Sequence, residues 1–247
     1  MHMQRYVSQL LTHFVGRNVK QDEDRYQLLL RILKSGWLLS SAMVNTKPED
    51  LPSRIKQPSY SYPLDISIID LNDVFISDVV CFADIPLADL HLHMQKYSLF
   101  GISFKKDYLI KKGASPVFYI SSDSIDTSEK DASLETVFRN ELQNYLNFSS
   151  NYQNNLIGQY TSSEMSQYKF QMFFLKRVLC FLKFWKSSKD DLDVDNFYLE
   201  REWRVYGGLP FSLDDVERII IPRQFSKNLR VNIPEFNNEV VFSDGGI

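Results

Sequence analysis

The stretch Tyr198-Leu199-Glu200-Arg201-Glu202-Trp203-Arg204-Val205-Tyr206 carries the densest set of groups able to do chemistry. Strand alternation puts Glu200, Glu202 and Arg204 on one face and Arg201, Trp203 and Val205 on the other. Two carboxylates beside a guanidinium can stabilise a developing positive charge or hold a phosphate through paired hydrogen bonds. The same spacing also makes a cross-strand ion-pair ladder on an exposed sheet, and spacing alone does not separate the two.

Other chemistries lack local support. His91 and His93 are two apart on an expected helix, so they point to nearly opposite sides and cannot share one metal ion. No Gly-x-Ser-x-Gly elbow, His-Glu-x-x-His pair or Cys-x-x-Cys pair occurs. Cys81 and Cys180 sit in apolar runs and read as buried free thiols. With nine glycines, the chain has no Gly-rich phosphate cradle, so a nucleotide would have to be held otherwise.

Among the elements that carry these residues, Tyr6–Phe14 reads as a strand, and the leucine spacing of Tyr26–Leu33 predicts a helix that Gly36 ends. Residues 45–65, with Pro48, Pro58 and Pro63, read as a long loop, either functional or a flexible insertion. Strands are expected at Asp78–Phe82, Leu99–Phe104 and Ser115–Ile120, with a helix over Pro86–Lys96. The polar run 121–133 is the best candidate for a mobile connection, between lobes of one domain spanning 1–247.

Two helices follow, Leu134–Phe148 and a long one starting near Ser162, whose apolar residues from Met165 to Trp185 cover much of its circumference. The second carries Lys169, Lys176, Arg177, Lys183, Lys186 and Lys189, which read as a solvated face in preference to a nucleic-acid contact. Phe197–Gly207, Glu217–Ile221 and Glu239–Phe242 read as β-structure.

A 44% apolar content suits a globular chain with a sizeable core. The net charge of −3 excludes a whole-protein attraction to nucleic acid or anionic lipid, though local patches stay open. Neither a signal peptide nor a membrane-spanning run is visible, so a cytoplasmic location is expected.

Three blocks carry a family resemblance. Leu11-Thr12-His13-Phe14 followed by Ile32-Leu33-Lys34-Ser35-Gly36-Trp37-Leu38 resembles the first motif of DarT-like ADP-ribosyltransferases. Val79-Val80-Cys81-Phe82-Ala83-Asp84-Ile85-Pro86-Leu87, with Tyr97, Gly101-Ile102 and Phe104-Lys105, resembles the AbiGi-type abortive-infection family, some of whose members are labelled antitoxins. Glu200-Arg201-Glu202-Trp203-Arg204 resembles the glutamate-bearing strand shared by both.

That resemblance implies an α+β fold with a split, mixed or antiparallel sheet and transfer of ADP-ribose from NAD to a macromolecular acceptor, nucleic acid before protein. It implies Glu202 as the catalytic carboxylate, with Glu200 assisting the acceptor or merely solvated. His13, helped by Thr12, would bind the adenosine ribose, and Tyr97 would pack on nicotinamide, with Tyr119 competing for that place. Phe104 joins the cofactor-binding set, and Arg204, with Lys105 less firmly, would neutralise the pyrophosphate. No metal is implied. Such a toxin would have a neutralising antitoxin protein as partner. The alternatives are an inactive binding module or antitoxin on the same scaffold, and an NAD glycohydrolase. Read from residues alone, His13 is a satisfied histidine in a half-buried strand and Tyr97 an aromatic at a helix end packed on the core.

Overall fold

A computed structural model describes residues 8–40, 79–126, 132–154, 177–190 and 198–244, with positions 166, 170, 173, 174, 193 and 196 between them. In chain order its elements are β1 (Leu10–Phe14), α1 (Asp22–Ser35), β2 (Trp37–Leu39), β3 (Val79–Ala83), α2 (Leu90–Lys96), β4 (Gly101–Lys105) and α3 (Lys106–Lys111). There follow β5 (Ser115–Pro116), β6 (Phe118–Ser121), β7 (Ile125–Asp126), β8 (Ala132–Ser133), α4 (Leu134–Asn154) and β9 (Leu182–Trp185). The last are β10 (Glu202–Tyr206), β11 (Gly208–Pro210), β12 (Val216–Ile221), α5 (Ser226–Asn232) and β13 (Glu239–Phe242). The expected loop at 45–65 lies outside the described residues.

The chain divides into two compact units, interleaved in sequence: 1–44, 80–116 and 199–247 form the first, and 45–79 with 117–198 the second. The boundaries with described residues on each side, at 79/80, 116/117 and 198/199, all fall outside the polar run 121–133. The described ends of that run instead pair as β7 and β8 within the second unit.

The first unit is built on a seven-stranded sheet of order β13-β12-β4-β1-β3-β10-β5. The β1–β3, β1–β4, β12–β4 and β10–β5 pairs are antiparallel and β12–β13 is parallel, so the fold is α+β with a mixed, mostly antiparallel sheet. Helix α1 forms because Tyr26, Leu29, Leu30 and Leu33 recur at helical spacing and bury one stripe, while Asp22, Glu23 and Asp24 in its first turn oppose the positive end of the helix dipole. Gly36, at φ 68°, donates its N–H to the Ile32 carbonyl and ends it. A side chain there would meet the Phe211 carbonyl oxygen at 2.7 Å, so close approach and backbone angle both demand glycine.

Alternation sorts the strand residues into two layers. Leu11, Val80, Phe82, Ile102, Phe104 and Val205 meet the α1 stripe in one apolar core. On the other face Ala83 and Ile220 meet Leu90 and Met94 of α2, with Phe14 packed beside them.

In the second unit β6 and β9 run parallel, with Ile120 opposite Phe184 and Tyr119 opposite Lys183. Leu182 and Ile120 pack with Leu142 and Phe138 of α4. This corrects the long helix expected to reach Trp185: a short 3-10 turn at Leu179–Phe181 precedes a strand. An apolar run that covers a whole helix circumference has no decisive period, and at Leu182–Trp185 the two-residue alternation prevails. Lys183 therefore lies on β9, with Lys186 and Lys189 beyond it, so these lysines do not extend a basic helix face.

Candidate functional site

The acidic segment is not one continuous strand. Tyr198–Glu200 form a 3-10 turn, Arg201 adopts φ +45°, and β10 starts only at Glu202. Glu200 is thus off the strand where alternation had placed it. Within β10 the alternation holds: Trp203 and Val205 meet the core beside α1, so Glu202 and Arg204 turn toward the α2 face. Arg204 is 1% exposed and Glu202 5% exposed, and the Arg204 Nε donates to Glu202 Oε1 at 2.7 Å. This is a buried ion pair, not a solvent-facing ladder.

Glu200 is equally buried and gathers the far side of the site. Lys96, the last residue of α2, donates from Nζ to Glu200 Oε1 at 2.8 Å, and the Tyr97 hydroxyl donates to the same oxygen. Tyr97 stacks on Phe14 with ring centroids 5.8 Å apart and on His93 at 6.4 Å. The Arg17 guanidinium sits 4.8 Å from the Tyr97 ring centre, within the range of a cation–π contact. Burial, aided by the neighbouring Glu202 charge and opposed by Lys96 and Arg17, pushes the Glu200 carboxyl up to about 7. A carboxyl that changes charge near neutrality, tied to a phenol and an ammonium, can accept or release a proton at physiological pH.

The remaining expected residues do not all join this group. His13 shares the face of Leu11, opposite to Phe14, and lies in register with Ile102 of the α1-side core. Its Nδ1–H donates to the Cys81 carbonyl at 2.9 Å, its ring meets Phe82 edge-on, and burial lowers its pKa so that the neutral imidazole is favoured. Thr12 is buried and its hydroxyl shares a 2.8 Å hydrogen bond with Ser103. Phe104 is wholly inside the core, against Phe82, Phe211 and Tyr108. Lys105 is exposed and pairs with Glu217 at 2.8 Å. Tyr119 belongs to the second unit, where its ring packs edge-on against Tyr198. Of the expected set, then, Tyr97 and Glu200 are in direct contact, Glu202 and Arg204 lie on their side of the sheet, and His13 and Phe104 face the other.

Sequence reasoning passed over Lys96, Arg17 and Asp84. Lys96 had a signal, since it adjoins Tyr97 at the cationic-preferring end of a helix. Asp84 stood inside the distinctive Cys81–Pro86 block, but nothing local announced its partners.

Among the described residues no group of three or more His, Cys, Asp or Glu side chains could hold a metal ion. The His91 Nδ1 lies 3.2 Å from the Ala88 carbonyl on an exposed surface, whereas burial and the nearby Lys96 bring His93 down to about 4. Cys81 and Cys180 are free thiols. No described helix is long and apolar enough to cross a membrane.

The family model described as "Putative abortive phage resistance protein AbiGi, antitoxin" matches residues 74–238, a span that holds α2, Tyr97, the acidic turn and β10. No curated protein and no solved structure matches the chain.

Proposed function

The chain belongs to the AbiGi abortive phage resistance family, and from that premise we propose that it works in phage defence as the antitoxin of a toxin–antitoxin pair, a protein-binding module and not an enzyme. The family match is the observation that carries this reading. The interior of the first unit supports it. A carboxylate that stabilises a reacting centre must face that centre, yet Glu202 is spent on a buried pair with Arg204, and Glu200 is covered by Lys96 and Tyr97. His13, for its part, commits Nδ1 to a backbone carbonyl within the sheet.

Inducible expression of the full chain in a bacterial host tests this. The antitoxin reading expects growth to continue, and expects co-expression to relieve the arrest caused by a toxin encoded beside it. Growth arrest by this chain alone, lost in Glu202→Gln, would overturn the reading.

A second reading, ADP-ribose transfer from NAD to a macromolecular acceptor such as nucleic acid, is favoured by one feature: Tyr97, Glu200 and Glu202 lie on the same side of one sheet, with Glu200 poised near neutrality. In that reading Glu202 would stabilise the cationic sugar as nicotinamide leaves, and opening of the Arg204 pair would have to precede it.

A further inference from the structure

We propose that Asp84 is the positioning residue of the acidic turn: by gripping Arg201 it holds that residue in the left-handed conformation and so keeps the Glu200 and Glu202 carboxyl groups gathered beside Tyr97.

Asp84 follows the last residue of β3 and is 3% exposed. Its Oδ1 accepts the Ser8 N–H at 2.9 Å, and its Oδ2 accepts Lys106 Nζ at 2.8 Å. One side chain thereby ties the approach to β1 and the end of β4 to the end of β3. Toward the next strand in the sheet, β10, Asp84 holds Arg201 twice. Its backbone N–H donates to the Arg201 carbonyl at 3.3 Å, and its Oδ2 lies 3.8 Å from the Arg201 guanidinium.

Arg201 needs such a hold. Among the described residues it is the one non-glycine with positive φ, a conformation that persists only where the surroundings impose it. Burial does not impose it, because the Arg201 side chain is 39% exposed. Repulsion between the Glu200 and Glu202 charges also opposes a turn that brings both inside. If Arg201 relaxed to an extended conformation, β10 would run on through Glu200, whose carboxyl would swing away from Lys96 and Tyr97. Lys106 adds a second tie, since its ammonium lies 5.4 Å from the Trp203 ring centre while it pairs with Asp84. The role holds whether the turn meets a protein partner or a substrate, so it does not depend on the antitoxin reading.

Carboxyl-carbon NMR of the Glu200 side chain in the full-length protein tests it. The wild type should titrate near 7. Asp84→Ala should move that midpoint down by about one pH unit or more, toward the ordinary carboxylate range, with the circular dichroism spectrum retained. Asp84→Ala combined with Arg201→Gly should bring the midpoint back, because glycine takes positive φ unaided. A purely structural tie would not be rescued in this way. An unchanged midpoint in Asp84→Ala, or a double variant that titrates like Asp84→Ala, overturns the proposal. Should Asp84→Ala fail to fold, Arg201→Gly and Arg201→Val decide: the proposal requires that glycine keep the midpoint and valine shift it, and equal midpoints in the two refute it.

Discussion

Both faces of the first unit's sheet bury side chains, yet they are filled by opposite means. Beside α1 the filling is apolar: Leu11, Phe82, Ile102, Phe104 and Val205 against Leu29 and Leu33. Beside α2 the apolar patch around Ala83, Leu90, Met94 and Ile220 gives way to Glu202–Arg204 and Glu200–Lys96–Tyr97. The apolar face is stabilised by area removed from water, in proportion and without direction. The polar face holds only if each charge keeps its partner, because a buried charge left alone is heavily penalised. One face therefore degrades gradually under substitution, and the other fails pair by pair.

The largest expected effect breaks the polar face. Arg204→Met removes the guanidinium that pairs with the Glu202 carboxylate at 5% exposure and should lower the unfolding free energy by about 3–5 kcal/mol in chemical denaturation. Pairing it with Glu202→Leu should return most of that loss, since two apolar groups make no unmet demand. Failure of the double variant to recover would mean that the pair does more than neutralise itself.

On the apolar face Leu29→Ala should cost about 2–5 kcal/mol, and no second substitution opposite should restore it except one that refills the volume. Recovery by a polar partner would contradict the contrast between the faces.

The pH dependence sharpens it further. The Glu200 carboxyl is raised from 4.5 to about 7 in the folded state, so below 4.5 it is protonated in both states and withholds nothing. As pH climbs from 4.5 to 7 the unfolded chain ionises first, and folding stability falls. Glu200→Gln should remove that decline, a difference on the order of 1–3 kcal/mol between pH 4.5 and pH 7.5 in parallel denaturation series. Parallel curves for variant and wild type would deny the burial argument for this carboxyl.

The smallest effect lies at the edge of the apolar side. Gly36→Ala forces a Cβ into the left-handed region and against the Phe211 carbonyl, and should lower stability by about 1 kcal/mol or more, seen as a lower melting temperature.

How far the sequence revealed this contrast follows from its physics. Periodicity is local, so the α1 stripe of Tyr26, Leu29, Leu30 and Leu33, its Gly36 stop and the strand Glu239–Phe242 were all legible. At Leu182–Trp185 periodicity misled, because a run apolar on every side fits helix and strand alike. The polar face depends on partners far apart in the chain: Tyr97 meets Glu200 across 103 residues, and Ser8 meets Asp84 across 76. No local pattern encodes such meetings. The positive φ of Arg201 was invisible for a related reason, since an arginine adopts it only under tertiary constraint. Alternation rightly placed Glu202 with Arg204, but it could not tell an exposed ladder from a buried pair.

The most direct test of the antitoxin account is nicotinamide release from NAD by the purified full-length protein, with and without cellular RNA, DNA and protein as acceptors. An antitoxin should give no release above that of buffer, and the same trace for Glu202→Gln. Sustained release that disappears in Glu202→Gln would contradict the antitoxin reading and make the acidic turn catalytic.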